Sequence, residues 1–88
     1  MDTPVLRYWR VPERAHMAWR RWDDEFVFHH RLSNDTHQLS GAAGELMLCL
    51  LENDELAEAD LAARCELSGE ELAATLHALA QLDFVTWR

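Results

Sequence analysis

Lysine is absent from this chain: all eight basic residues are arginine. Glycine, proline and cysteine are scarce too, at three, two and two residues in 88. Each shortage excludes something. The stretch "SGAAGEL" (residues 40–46) holds two of the glycines but has neither the lysine nor the spacing of a phosphate-binding loop. Cys49 and Cys65 form no Cys-x-x-Cys pair, so the usual zinc-ligand spacing is missing. Both lie in apolar helical contexts with no basic neighbour to activate a thiol, which predicts reduced structural thiols rather than a disulfide or a nucleophile. No apolar run approaches the roughly 18 residues of a membrane span. The start, "MDTPVLRYWRVPERAH", breaks its apolar residues with charges and prolines and carries no signal-peptide pattern. Together these absences predict a cytoplasmic protein with no membrane partner.

What is present is one domain's worth of chain, about half of it apolar, with four tryptophans at Trp9, Trp19, Trp22 and Trp87. A domain of this length buries roughly 60 to 65 % of its unfolded surface, enough to fold but not to house a deep cofactor site. Charge divides the chain. Residues 1–40 hold six Arg against six Asp and Glu, whereas residues 41–88 hold two against ten and carry the whole net charge of −8.

Residues 1–15, with Pro4 and Pro12, show no period and read as an irregular arm pinned by Tyr8 and Trp9; residues 16–88 read as the domain. "HMAWRRW" alternates with Met17 and Trp19 on one face, then loses the alternation at Arg21-Trp22. Asp23-Asp24-Glu25 is a turn. "FVFHHRL" places Phe26, Phe28, His30 and Leu32 on one face, and Ser33-Asn34-Asp35 is strong turn chemistry. "THQL" returns beside it. Pairing Leu32 with His37 sends His37 and Leu39 inward and Thr36 and Gln38 outward, in a three-stranded antiparallel sheet. "GAAGELMLCLLE" is apolar nearly all round and predicts a central buried helix. Asn53-Asp54 ends it and offers a cap to "LAEADLAARC", whose Leu61 and Cys65 face inward. Ser68 and Glu71 form a capping box for a third helix that buries Leu72, Leu76, Leu79 and Ala80. "LDFVTW" follows as an extended tail. The fold class expected is α+β, a winged-helix-turn-helix-like arrangement of three strands followed by three helices.

Function classes separate on this frame. His30 and His37 can lie diagonally on one face, about 7 Å apart, but two ligands make no metal site, and a structural pair is the simpler reading. His16, His29 and His77 read as surface or strand-edge residues. No catalytic constellation or cofactor site is predicted, so no enzyme. The third helix, as a DNA-recognition helix, would lead with Glu70 and Glu71 and carries no Arg or Lys, so phosphate repulsion argues against nucleic acid. The "THQL" strand is a sheet edge without formal charge or proline, the two usual guards. A short strand is itself a guard, so an idle edge is the plain alternative. The functional reading is β-augmentation, in which an extended peptide adds as a fourth strand. Ala73, Thr75 and Ala80 cover the third helix thinly enough for it to be the other wall, and the small Ser40–Gly44 join is expected to keep that corner open.

The stretch "RWDDEFVFHHRLSNDTHQLSGAAGELMLCLLENDELAEADLAARCELSGEELAATLHALAQLDFV" (residues 21–85) resembles the PqqD-like family; the match covers nearly the whole chain from about Arg10, and its most particular parts are the "WRVP" start at Trp9 to Pro12, "EFVFHH" and "DTHQL". Members of the family are peptide chaperones, also termed RiPP recognition elements, and the nearest branch is the short PqqD-like proteins of the HPr-rel-A system. The resemblance implies that a precursor or leader peptide lies antiparallel to the third strand, Thr36, His37, Gln38 and Leu39, against Leu72, Thr75, Leu76 and Leu79 of the third helix. It also implies a modifying enzyme as second partner, often a radical SAM protein in this family, or here an HPr-kinase-related protein. The strand runs "DTHQLS" into Gly41 where PqqD proper has an Asn-Glu-Thr-Ala-like join, which speaks against a role in PQQ synthesis itself. The runner-up is an adaptor that binds a folded partner through its helices, and a second copy pairing through the same edge is a further use of the strand.

Overall fold

Phe26 and Phe28, 1 % and 0 % exposed, are the centre from which the architecture is most easily followed. The computed structural model describes residues 7–88; Pro4 and the rest of the first six residues lie outside them. A strand β1 (Tyr8–Arg10) and one turn of 3-10 helix (Arg14–His16) precede a meander of β2 (Met17–Trp22), β3 (Glu25–His30) and β4 (Asp35–Leu39). Helix α1 (Gly41–Glu52), strand β5 (Leu56–Ala57), helix α2 (Glu58–Cys65), helix α3 (Gly69–Gln81) and strand β6 (Thr86–Trp87) complete the chain. The described residues form an α+β domain with three α-helices and two three-stranded antiparallel sheets, ordered β2-β3-β4 and β5-β1-β6.

The meander forms for the reasons its alternation suggests. Met17, Phe26, Phe28 and Leu39 are buried on the inner face, where α1 and the Phe84 side chain cover them. Two residues in the left-handed region make the turns, Asp23 (φ 54°) and Asn34 (φ 61°), types that tolerate it best after glycine. The turn between β2 and β3 is only Asp23-Asp24, since Glu25 already pairs with Trp22.

The register of the second hairpin differs from the Leu32–His37 pairing. His37 faces Phe28 and Asp35 faces His30, so residues 31–34 form a four-residue loop and Leu32 is 63 % exposed in it. The two pairings share their parity, which is why His37 and Leu39 still face inward although the strand is shorter than its pattern.

The second sheet answers to no local pattern. The stretch read as an irregular arm contributes β1, which takes β5 on one side and β6 on the other. Tyr8 and Arg88 exchange both backbone hydrogen bonds, at 3.2 and 3.1 Å, and the Glu58 N–H reaches the Arg7 carbonyl at 3.1 Å. Trp9 is 4 % exposed and donates its indole N–H to Glu58 Oε1 at 2.9 Å. Leu56 and Ala57 are thus strand rather than helix. Asp54 caps nothing; it pairs with Arg14, whose guanidinium also reaches the Leu51 carbonyl, and Ala57 precedes α2.

Helix α3 begins as its sequence predicts. Ser68 Oγ accepts from the Glu71 N–H at 3.1 Å, and Glu71 Oε1 accepts from the Ser68 N–H at 3.3 Å. Leu72, Leu76 and Leu79 are buried, and Ala80 is half-buried. Trp19, placed inward by its period, stacks on Phe28 at 6.3 Å but sits on the outer strand and keeps 49 % of its surface exposed.

Candidate functional site

Backbone direction along β4 decides whether its edge is open. In an antiparallel pair, successive residues turn their N–H and C=O groups to opposite sides. The Arg31 N–H donates to the His16 carbonyl at 2.8 Å, so odd-numbered residues of β3 bond toward β2. Even-numbered ones bond toward β4, as the Asn34 N–H on the His30 carbonyl shows at 2.8 Å. With Phe28 opposite His37, it is Asp35, His37 and Leu39 that β4 turns to β3. The N–H and C=O groups of Thr36 and Gln38 therefore face away from the sheet.

Beside this edge lie two hollows. One, of about 270 Å³, is lined by Leu39 and Ser40 at the end of β4, Ala43 on α1, and Ala74, Thr75, Ala78, Leu79 and Leu82 on and after α3. The other, of about 590 Å³, lies at the opposite end of β4, where His30 and Asp35 face Leu82, Phe84 and Thr86. Leu82 lines both. Between them the His37 ring meets the Phe84 ring edge-on, centroids 5.3 Å apart. An edge strand, a trough and a helix wall are thus side by side.

The predicted site residues divide accordingly. Thr36 and Gln38 offer main chain only, because their side chains are engaged across the outer face: His29 Nδ1 and Thr36 Oγ1 are 2.7 Å apart, and Gln38 Nε2 donates to Glu25. Leu39, Thr75 and Leu79 reach the smaller hollow, with Leu79 as its 1 % exposed floor. Leu72 and Leu76 do not line it; they are 4 % and 2 % exposed members of the core. Ser40, Ala43, Ala74, Ala78 and Leu82 line it instead. Their signal was present as a stripe of small residues on α3, at 74 and 78, one turn apart and adjoining Thr75.

The Ser40–Gly44 join serves two sides. Ser40 Oγ caps α1 through the Ala43 N–H at 3.4 Å, and Ala43 lines the hollow. Gly44 faces the core. A Cβ on it would lie 1.9 Å from Phe26 Cδ2, and one on Gly41 would lie 3.1 Å from the Asp24 carbonyl oxygen. The backbone is approached at this join by Phe26 from within, and Gly44 does not hold a corner open.

His30 and His37 do lie diagonally on one face of the hairpin. Among the described residues, no three His, Cys, Asp or Glu side chains converge as metal ligands, and no helix is long and apolar enough to cross a membrane. Comparison with family models, with curated proteins and with solved structures finds no match for this chain.

Proposed function

We propose that this protein is a non-catalytic peptide-binding module of the winged-helix-like, PqqD-like kind, which takes up a precursor or leader peptide in the cytoplasm and presents it to a modifying enzyme. The observation that carries this reading is the edge of β4, uncharged from Thr36 to Leu39, opening onto the trough that α3 walls. The peptide adds as a fourth strand. Its main chain bonds the N–H and C=O groups of Thr36 and Gln38, and an inward side chain enters the hollow among Ala43, Ala74, Ala78 and Leu82. The carboxylates of the α3 first turn, Glu70 and Glu71, favour some basic character in the ligand, a contribution that salt screens.

Capture from the native bacterium's lysate, identified by mass spectrometry, tests the proposal with wild type and Gln38→Pro side by side, once circular dichroism shows both folded. Proline removes the outward N–H at Gln38 and leaves the core intact. A small precursor or peptide held by the wild type and lost with proline is the expected result. Equal capture by both overturns strand addition.

A second reading, an adaptor for a folded partner, draws on a different observation. Trp22 and Trp19 are 64 % and 49 % exposed on the first hairpin and line a shallow hollow with Arg20, Val27 and His29. Such an adaptor uses the hairpin rather than the helices, and its partner is lost with Trp22→Ala and kept with Gln38→Pro.

A further inference from the structure

Cys49 on α1 and Cys65, the last residue of α2, bring their Sγ atoms to 3.6 Å. Both are free thiols, half-buried, and neither lines the trough. The contact is direct sulfur on sulfur. A disulfide needs about 2.05 Å between the sulfurs, so closing this gap takes roughly 1.5 Å of movement.

One partner is held and the other can give. Cys49 lies within α1, and the Asn53 side-chain amide donates to its carbonyl at 2.8 Å. Cys65 ends a helix of only eight residues, and Glu66 after it already turns into the left-handed region at φ 54°. Helix ends move at the lowest cost, because their last carbonyls lack intrahelical partners.

We propose that Cys49 and Cys65 form an oxidative modification site, a dithiol that a hydroperoxide converts to an intramolecular disulfide tying α1 to the C-terminal end of α2. Cys49 gives up its proton and its sulfur attacks the peroxide; the O–O bond breaks, Cys49 becomes a sulfenic acid, and the departing hydroxide takes up that proton as the first water. The Cys65 sulfur then attacks the sulfenyl sulfur. The S–S bond forms, hydroxide leaves, and with the Cys65 proton it becomes the second water. Two sulfurs lose one electron each and the peroxide gains two. Burial first, and the neighbouring Cys49 thiol second, push the Cys65 thiol up to about 12. It therefore stays protonated near neutral pH, while its place on the movable end of α2 makes it the partner that closes on Cys49, and disulfide formation quickens as pH rises.

Arg64 makes the test direct, since trypsin cleaves there and leaves the two cysteines on separate peptides, 32–64 and 65–88. The full chain is treated with hydrogen peroxide, alkylated under denaturing conditions, digested and weighed. The expected result is loss of both thiols together, the two peptides joined in a monomeric protein, and release by dithiothreitol. Cys65→Ser abolishes the joined species and leaves Cys49 oxygenated. Two alkylated cysteines after that treatment overturn the proposal, as do oxygen added separately to each sulfur or a disulfide between two chains.

Discussion

The two sheets are built from the same number of strands, and little else about them is alike. The meander β2-β3-β4 is contiguous in sequence, with turns of two and four residues, and its strands are long enough to show their period. The sheet β5-β1-β6 gathers strands of two, three and two residues from three distant parts of the chain. It acts as a clasp, drawing the beginning of the described chain onto its end. Among the described residues the meander keeps two open edges of different character. By the same alternation that leaves Thr36 and Gln38 facing outward on β4, the outer edge of β2 carries the N–H groups of Met17, Trp19 and Arg21. Arginines at 20 and 21 stand along that edge, the ordinary guard against unwanted pairing. β4 carries one charge, Asp35 at its first residue; from Thr36 to Leu39 it has no such guard, and it faces a trough. On the function proposed above, charge closes one edge to strand addition and shape leaves the other available.

The heaviest blow to the clasp is Trp9→Ala. It removes a side chain 4 % exposed that packs 6.3 Å from Trp87 and bonds Glu58, and the expected loss is about 3–5 kcal/mol in urea unfolding. That is a large part of the roughly 5–13 kcal/mol a domain of this size possesses. A loss below about 1 kcal/mol would show that the clasp is peripheral. Gly44→Ala is the corresponding blow to the meander, because the new Cβ must displace the Phe26 ring between β3 and α1. Overpacking at such a point costs about 1–3 kcal/mol, and Phe26→Leu in the same chain should recover part of it by vacating the ring. The two open edges are compared by a matched pair, Gln38→Pro and Arg21→Pro. Each removes an N–H that bonds nothing in the sheet, so each should cost only roughly 1–2 kcal/mol of stability. Peptide capture is expected to fail with the first and survive with the second. Failure with both would make the edges equivalent and break the comparison.

The contrast between the sheets is also the measure of what the sequence discloses. Alternation in "FVFHH" and "THQL", Asp and Asn at the turns, and the Ser68–Glu71 box are local, and the meander and α3 follow from them nearly to the residue. Leu32 misled because a period of two continues through a loop as readily as through a strand; only the wider turn around Asn34 removes it from the sheet. The clasp was illegible for a different reason. Three residues at 8–10 and two at 56–57 are too short for any period, and their pairing is decided by where Trp9 finds a pocket. The trough was half legible. Its strand edge was evident from charge and its helix from capping, but Leu72 and Leu76 are apolar because they fill the core, and the lining belongs to the alanines beside them. Gly44 was noticed for its smallness and given the wrong neighbour, since sequence does not say which side of a small residue is approached.

The smallest effect lies at the clasp's outer strands. Glu55, just before β5, takes two hydrogen bonds of 2.8 Å from the Arg88 guanidinium, just after β6. Those bonds, aided by the Arg88 charge, hold the Glu55 carboxyl below the usual carboxylate range. A folded-state pKa below the unfolded one means that the unfolded chain binds the proton more readily. The pair's contribution is therefore fully present above the unfolded carboxylate range, near pH 4.5, and is lost as pH falls through the lower folded value. Arg88 is largely open to water and Glu55 partly so, so salt weakens the pair and the change is small. Glu55→Gln should flatten the acid limb of the stability–pH curve and leave the neutral plateau nearly where it was. A drop at neutral pH comparable to that of Trp9→Ala would instead mean that the ion pair, and not the tryptophan, holds the clasp shut.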